Sequence, residues 1–213
     1  MTTLTQQLKE QVEGFKGRAP KEVQDIMARA TKELETSDVA KGLKEGEVAP
    51  DFTLPNAVGE NVTLYQQLEK GPVIVTFYRG EWCPYCNLEL KSYQDELPAI
   101  QAAGANVIAI SPETPDHSLS IKEKHDLAFD VLSDTDKSAM DAYNLVFKMP
   151  DYLIDLYKQL NLNLDQYNVP ENAWELPVPA TFVIGQDRII KKAAVNPDYT
   201  TRLDPKEALA ALS

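Results

Sequence analysis

Cysteine is almost absent: Cys83 and Cys86 are the only two in a chain of 213 residues. That excludes a disulfide framework, and a bridge between these two would close a loop too short to constrain the unfolded chain much. Histidine is as scarce, with only His117 and His125. A structural zinc site needs about four ligands, and neither histidine stands at a finger-like spacing from the cysteines. Basic charge is also short: 21 Lys and Arg face 33 Asp and Glu, a net charge of -12. Such a surface repels phosphate backbones and anionic lipid, and no run of bases offsets it, so nucleic acid and membrane surfaces are set aside as partners. No stretch approaches the ~18 apolar residues of a membrane span, and "MTTLTQQLKEQVEGF" lacks the apolar core of a signal peptide. A cytoplasmic location is expected, where a lone cysteine pair is reactive or metal-binding rather than a staple.

What is present reads as a globular chain, with 43% apolar and 25% charged residues and enough length for a full core. Leu4, Leu8, Val12 and Phe15 recur at helical spacing, and Val23, Ile26, Met27, Ala30 and Leu34 do so again after "GRAP". The division expected is a helical arm over residues 1–41, packed on the body or on a partner subunit, and one domain over 42–213. "GLKEGEVAPDFTLPNAVGENVTL" reads as an extended lead-in or hairpin. "PVIVTFYR", from Pro72 to Arg79, is a continuous β-branched and aromatic run, the pattern of a strand buried on both faces. Cys86, Leu90, Tyr93, Leu97 and Ile100 then form a helical stripe that Gly104 ends. "ANVIAIS" is a second buried strand, followed by a helix over "PDHSLSIKEKHDL", a short strand at "FDVLSD" and a short helix at "TDKSAMDAYNL". Residues 150–170 read as an inserted helix and loop. Two strands joined at Gly185–Asp187 and a final helix, "DPKEALAAL", close an α/β arrangement with helices on both faces of a sheet.

The cysteines fall between a strand and a helix. Pro84 suits the first helical position, where its missing N–H has no intrahelical partner to lose. Cys83 then stands at the helix cap, where free amides and the helix dipole favour a thiolate. Cys86 begins the buried stripe and is expected to be the less exposed sulfur. In disulfide exchange Cys83 attacks and Cys86 resolves. A zinc clip with the histidines and an inert buried pair are the alternatives. Pro179 precedes a strand and could present a cis bond and its neighbouring backbone beside the sulfurs. Arg202, ahead of the last helix, could lower a thiol pKa and stabilise charge on a reacting oxygen.

Together these stretches resemble the thioredoxin-fold proteins, and within them the peroxiredoxin-like alkyl hydroperoxide reductase/thiol-specific antioxidant family. The segments are "GEVAPDFTLPNAVGENVTL", "VIVTFYRGEWCPYC", "LAFDVLSD", "VPATFVI" and "VNPDYTTR", in family order over about residues 42–212. The resemblance implies a thioredoxin-like α/β fold, a central mixed sheet with helices on both faces, plus the N-terminal helical arm. It implies a thiol peroxidase with catalytic Cys83, Cys86 and Arg202, and with Pro179, Trp82 and Arg79 near the substrate. It makes Pro179 the cis-proline of thioredoxin-like proteins. The implied partners are a hydroperoxide and a thioredoxin-like or small-thiol reductant, with a homodimer as the candidate assembly and no metal or other cofactor. The family pattern Pro-x-x-x-(Thr/Ser)-x-x-Cys is met with Arg79 for the proline and Cys83 for the hydroxyl residue, which puts the attacking sulfur at Cys86. "CPYC" matches the glutaredoxin tetrapeptide and puts it at Cys83. No Gly-Gly segment follows "VPAT", so glutathione binding is not implied. A protein disulfide reductase and a non-catalytic redox sensor that binds a partner through the arm remain open beside the peroxidase.

Overall fold

Two helices lead the chain, of which the computed structural model describes residues 3–212. Thr3 caps α1 (Leu4–Arg18) by accepting from the Gln6 amide at 3.3 Å. The Ala19–Pro20 break turns the chain into α2 (Lys21–Thr36). The two helices behave differently. Leu4 and Leu8 are fully buried in the main core, with α1 packed on the long helix that follows the cysteines. The apolar residues of α2 are only half-buried, and none is enclosed. Both helices lie on the body.

The lead-in forms a hairpin of β1 (Thr53–Pro55) and β2 (Asn61–Thr63), followed directly by the short α3 (Leu64–Leu68). The apolar run becomes β3 (Val73–Phe77), and the cysteines open α4 (Pro84–Ala102). Gly104, at φ 78°, ends that helix in the left-handed region that favours glycine. Next come β4 (Asn106–Ser111), α5 (Pro115–Lys124), β5 (Asp130–Ser133) and α6 (Ser138–Ala142). The insertion is α7 (Asp151–Gln159) with two single-turn 3-10 helices, and a two-strand ribbon, β6 (Val146–Lys148) with β7 (Glu175–Pro177), clasps its base. The sequence pattern did not show this ribbon. β8 (Ala180–Ile184), β9 (Ile190–Val195) and α8 (Pro205–Ala210) complete the chain.

The main sheet has the order β5-β4-β3-β8-β9. β3, β4 and β5 run parallel, β8 is antiparallel to β3, and β9 is antiparallel to β8. Side chains alternate across a strand, so β3 serves two cores. Ile74 joins Leu90, Tyr93 and Leu97 of α4 on one face. Val73, Val75 and Phe77 join Phe182, Ile110 and Met140 on the other. Burying each such side chain is worth about 1.5–3 kcal/mol, and this holds the β3–α4 junction in place. A third, smaller cluster lies under α2 and α7, around Leu153, Leu156 and Tyr157.

Candidate active site

The β3–α4 loop is fixed by several polar contacts. Gly80 has φ 152°, and a Cβ there would lie 2.3 Å from Trp82 Nε1 and 2.7 Å from Glu113 Oε1. Only glycine lets the loop pass so close to both. The Glu81 amide donates to both oxygens of Glu113, at 2.9 and 3.0 Å. Burial drives the Glu113 carboxyl well above its ordinary pKa, and the hydrogen bonds it accepts from Glu81 and Ser111 oppose that rise. Asn87 donates back to the carbonyls of Glu81 and Cys83, at 2.7 and 2.8 Å. The histidines serve the same region. His117 pairs with Glu81 at 2.5 Å and His125 meets Asn87 at 2.7 Å. Neither points to a shared ion site with the sulfurs, and among the described residues no group of three or more potential metal ligands comes together.

Cys83 is the N-cap of α4 and Pro84 its first residue, as the spacing predicts. Both thiols are free and buried, Cys83 at 1% and Cys86 at 0% exposure. Neither thiol is open to solvent, so the two differ hardly at all in exposure, with Cys86 the more enclosed as expected. Trp82 packs edge-to-face on Tyr157 with centroids 6.0 Å apart, and Trp82 and Tyr199 lie against the core cluster that holds both cysteines. Of the expected causes of acidity, the Arg202 charge contributes and the helix-end amide matters little. Burial pushes Cys83 up, but the neighbouring Cys86 thiol, then Arg79 and Arg202, outweigh it and bring the thiol down to about 6. The Cys86 amide adds least of these, and the Cys83 side chain forms no capping hydrogen bond. Burial and the charge on Cys83 hold Cys86 well above an ordinary thiol. One proton thus leaves the pair easily and the second stays.

Arg202 reaches the pair from the segment before α8, with Nη2 3.4 Å from Cys86 Sγ. Its Nε pairs with Glu89 Oε2 at 2.6 Å, and both side chains are almost fully enclosed. Glu89 also accepts from Thr76 Oγ1 at 3.0 Å and Thr181 Oγ1 at 3.4 Å. Glu89 was missed in the sequence, although a carboxylate three residues after Cys86 on an apolar helical stripe is a visible anomaly. Arg79 is the second buried cation. Its Nη2 donates to Tyr157 Oη at 2.8 Å, and its guanidinium lies over the rings of Trp82 (4.9 Å) and Tyr199 (4.5 Å). Tyr157 lies in the insertion, and nothing in the sequence links it to the cysteines. Pro179 stands beside Arg79 and Tyr199 on a cavity wall, and no described peptide bond is cis, its own included. That corrects the cis-proline expectation. Pro179 instead carries the chain straight into β8, and its carbonyl accepts from the Asn196 amide at 3.3 Å.

Comparison with known proteins bears on the whole arrangement. The sequence model of the AhpC/TSA family matches residues 46–193. A protein of Mycobacterium tuberculosis whose name includes "peroxiredoxin" is 37% identical over 101 residues, covering 47% of this chain and 64% of its own. Peroxiredoxin Bcp of Escherichia coli is 32% identical over 103 residues, covering 48% of this chain and 65% of its own. The chain thus spans just under two thirds of the length of these relatives. Among solved structures, peroxidoxin BcpB from Mycobacterium tuberculosis superposes with a TM-score of 0.63 at 21% identity, covering 80% of this chain and 96% of that one. That likeness shows the thioredoxin-like fold.

Proposed function

The chain belongs to the AhpC/TSA family of peroxiredoxin-like proteins, and from that premise we propose that it is a thiol peroxidase whose working groups are Cys83, Cys86 and Arg202. One observation carries the reading: two thiols in mutual contact, enclosed with two guanidinium groups, one of them 3.4 Å from sulfur. In the proposed reaction the Cys83 thiolate attacks the outer oxygen of a hydroperoxide. The O–O bond breaks, the leaving alkoxide takes a proton, and Cys83 becomes a sulfenic acid. Cys86 then displaces water from that sulfur and forms the Cys83–Cys86 disulfide. A thioredoxin-like protein or a small thiol returns two electrons and two protons. Arg202 stabilises negative charge on sulfur and on the polarised peroxide oxygen, and Glu89 holds Arg202 in place. Arg79 lowers the Cys83 pKa from the other side, and Trp82 and Pro179 shape the approach.

Burial of both sulfurs favours a small peroxide over a protein disulfide as the oxidising substrate. The Arg202–Cys86 contact favours a second assignment, in which Cys86 attacks and Cys83 resolves, and serine variants separate the two. A cytoplasmic setting, which keeps thiols reduced, and a homodimer belong to the same proposal, as does the division into an arm of residues 1–41 and a domain of 42–213. The test is peroxide consumption by the reduced protein with dithiothreitol as electron donor, beside insulin reduction. Peroxide turnover with little insulin reduction is expected. Insulin reduction without peroxide turnover would make the protein a disulfide reductase.

A further inference from the structure

A cavity of about 430 Å³ lies between α2, α7 and the Pro179 turn, and Arg79 and Tyr199 connect its wall to the cysteine site. Pockets of this size take small organic molecules. Met27, Ala30 and Leu34 of α2 line it, with Phe147 and Leu153 opposite, and Arg79 stands on its wall. Arg79 is only 4% exposed, yet no carboxylate pairs with it among the described residues, and its Nε has no acceptor. Its one hydrogen-bond acceptor there is the Tyr157 hydroxyl, and its ring contacts give no in-plane acceptor. The contrast with Arg202, whose Nε meets Glu89, is direct. Among the described residues the Cys83 thiolate is the one anion whose charge answers it, and with Nε unsatisfied its planar fork still matches a carboxylate. The lid over this space is also unfinished. α2 has a strongly one-sided apolar face that packs against the Leu153 cluster with no residue fully buried, and part of that face lines the cavity. At the rim, Glu33 is already engaged by Arg29 at 2.8 Å and Tyr152 Oη at 2.5 Å. Its charge does not turn an anion away.

We propose that this cavity binds a linear carboxylate, with the head on Arg79 and the alkyl chain under α2. The inference goes beyond the peroxidase reading and involves no redox step. The carboxylate and the Cys83 thiolate draw on the same cation, so bound carboxylate should raise the thiol pKa and slow its alkylation.

Tryptophan fluorescence and calorimetry on the full reduced chain test this, with decanoate, octanoate and decanol as probes below their micelle concentrations. Decanoate should bind saturably at one site, about tenfold or more tighter than decanol, the usual gain for a hydrogen bond to a charged group. Octanoate should bind about fifteenfold more weakly, at about fourfold per methylene. Arg79→Gln should erase the preference for decanoate while decanol still binds, which shows that the cavity stands. Arg79→Lys, the fallback if that variant does not fold, should keep part of the preference. Ala30→Trp should weaken both probes. Lys148→Ala, at the mouth of the cavity, should leave the preference intact. Absence of saturable decanoate binding, equal binding of decanol, or a preference lost in Lys148→Ala but kept in Arg79→Gln would overturn the proposal. Peroxide turnover is read separately, so decanoate binding without turnover would count against the peroxidase reading alone.

Discussion

Replacing Arg202 with Met removes the guanidinium that lies 3.4 Å from Cys86 Sγ. A unit charge on Cys86 at that distance would interact by about 5 kcal/mol at an effective dielectric of ~20, or about 3.5 pKa units, which is the ceiling for the effect on the neighbouring Cys83 thiolate. The whole amount will not appear, because Glu89 loses the cation it pairs with in the same step. Left with the hydroxyls of Thr76 and Thr181, its carboxylate takes up a proton, and the net charge beside the sulfurs is then unchanged. The expected rise is about 1–2 units, in the range for loss of a neighbouring opposite charge. Breaking a buried pair from one side costs about 3–5 kcal/mol. Adding Glu89→Gln removes the stranded acid while its amide oxygen can still accept from Thr76. The double variant should recover at least half of the lost stability and keep the raised thiol pKa. Ultraviolet thiolate absorbance and iodoacetamide rates against pH measure the first quantity, and urea denaturation the second. An unchanged pH profile in folded Arg202→Met, or a double variant with the wild-type thiol pKa, would refute Arg202 as the support of the thiolate.

Cys83 titrates at about 6, so alkylation and peroxide attack should rise through that pH and then level off, and a midpoint near the ordinary thiol value would contradict it. The sign for stability follows. The lowered folded-state pKa adds stability above the unfolded thiol's value, and this is lost as the pH falls through about 6. Denaturation of the reduced protein against Cys83→Ser over that window checks it. Gly80→Ala adds a Cβ at φ 152° within 2.3 Å of Trp82 Nε1, and should cost more than about 1 kcal/mol in urea denaturation; a wild-type midpoint would show that the loop is loose. Leu8→Ala should cost about 2–5 kcal/mol because Leu8 is 4% exposed within the core. A change below about 0.5 kcal/mol would make α1 a detachable arm.

Local signals carried most of the fold. β3 and β4 were legible because a strand buried on both faces must be apolar throughout, and α4 because its stripe starts at a cysteine preceded by proline. The three-residue strands β6 and β7 were not legible, since three residues cannot show a period. At the site, the helix-cap position of Cys83 was local and correct. Its burial was not local. Cys83 shares its core cluster with Leu203, with Tyr199 packed against it, both brought from the last loop by tertiary packing. The acidity of Cys83 comes first from the neighbouring Cys86 thiol, then from Arg79 on the same loop and from Arg202 far along the chain, with the Cys86 amide adding least. The Glu89–Arg202 pair spans 113 residues, and half of it was visible as a charge on an apolar stripe.

The most direct test is stopped-flow reaction of one equivalent of hydrogen peroxide with the reduced protein, followed by mass spectrometry of each cysteine. The wild type should yield an intrachain Cys83–Cys86 disulfide that dithiothreitol reverses. Cys86→Ser should trap a sulfenic acid at Cys83, and Cys83→Ser should lose rapid consumption. Retained consumption in Cys83→Ser with loss in Cys86→Ser would contradict Cys83 as the attacking sulfur, and two free thiols in the wild type after the peroxide is added would contradict the peroxidase itself.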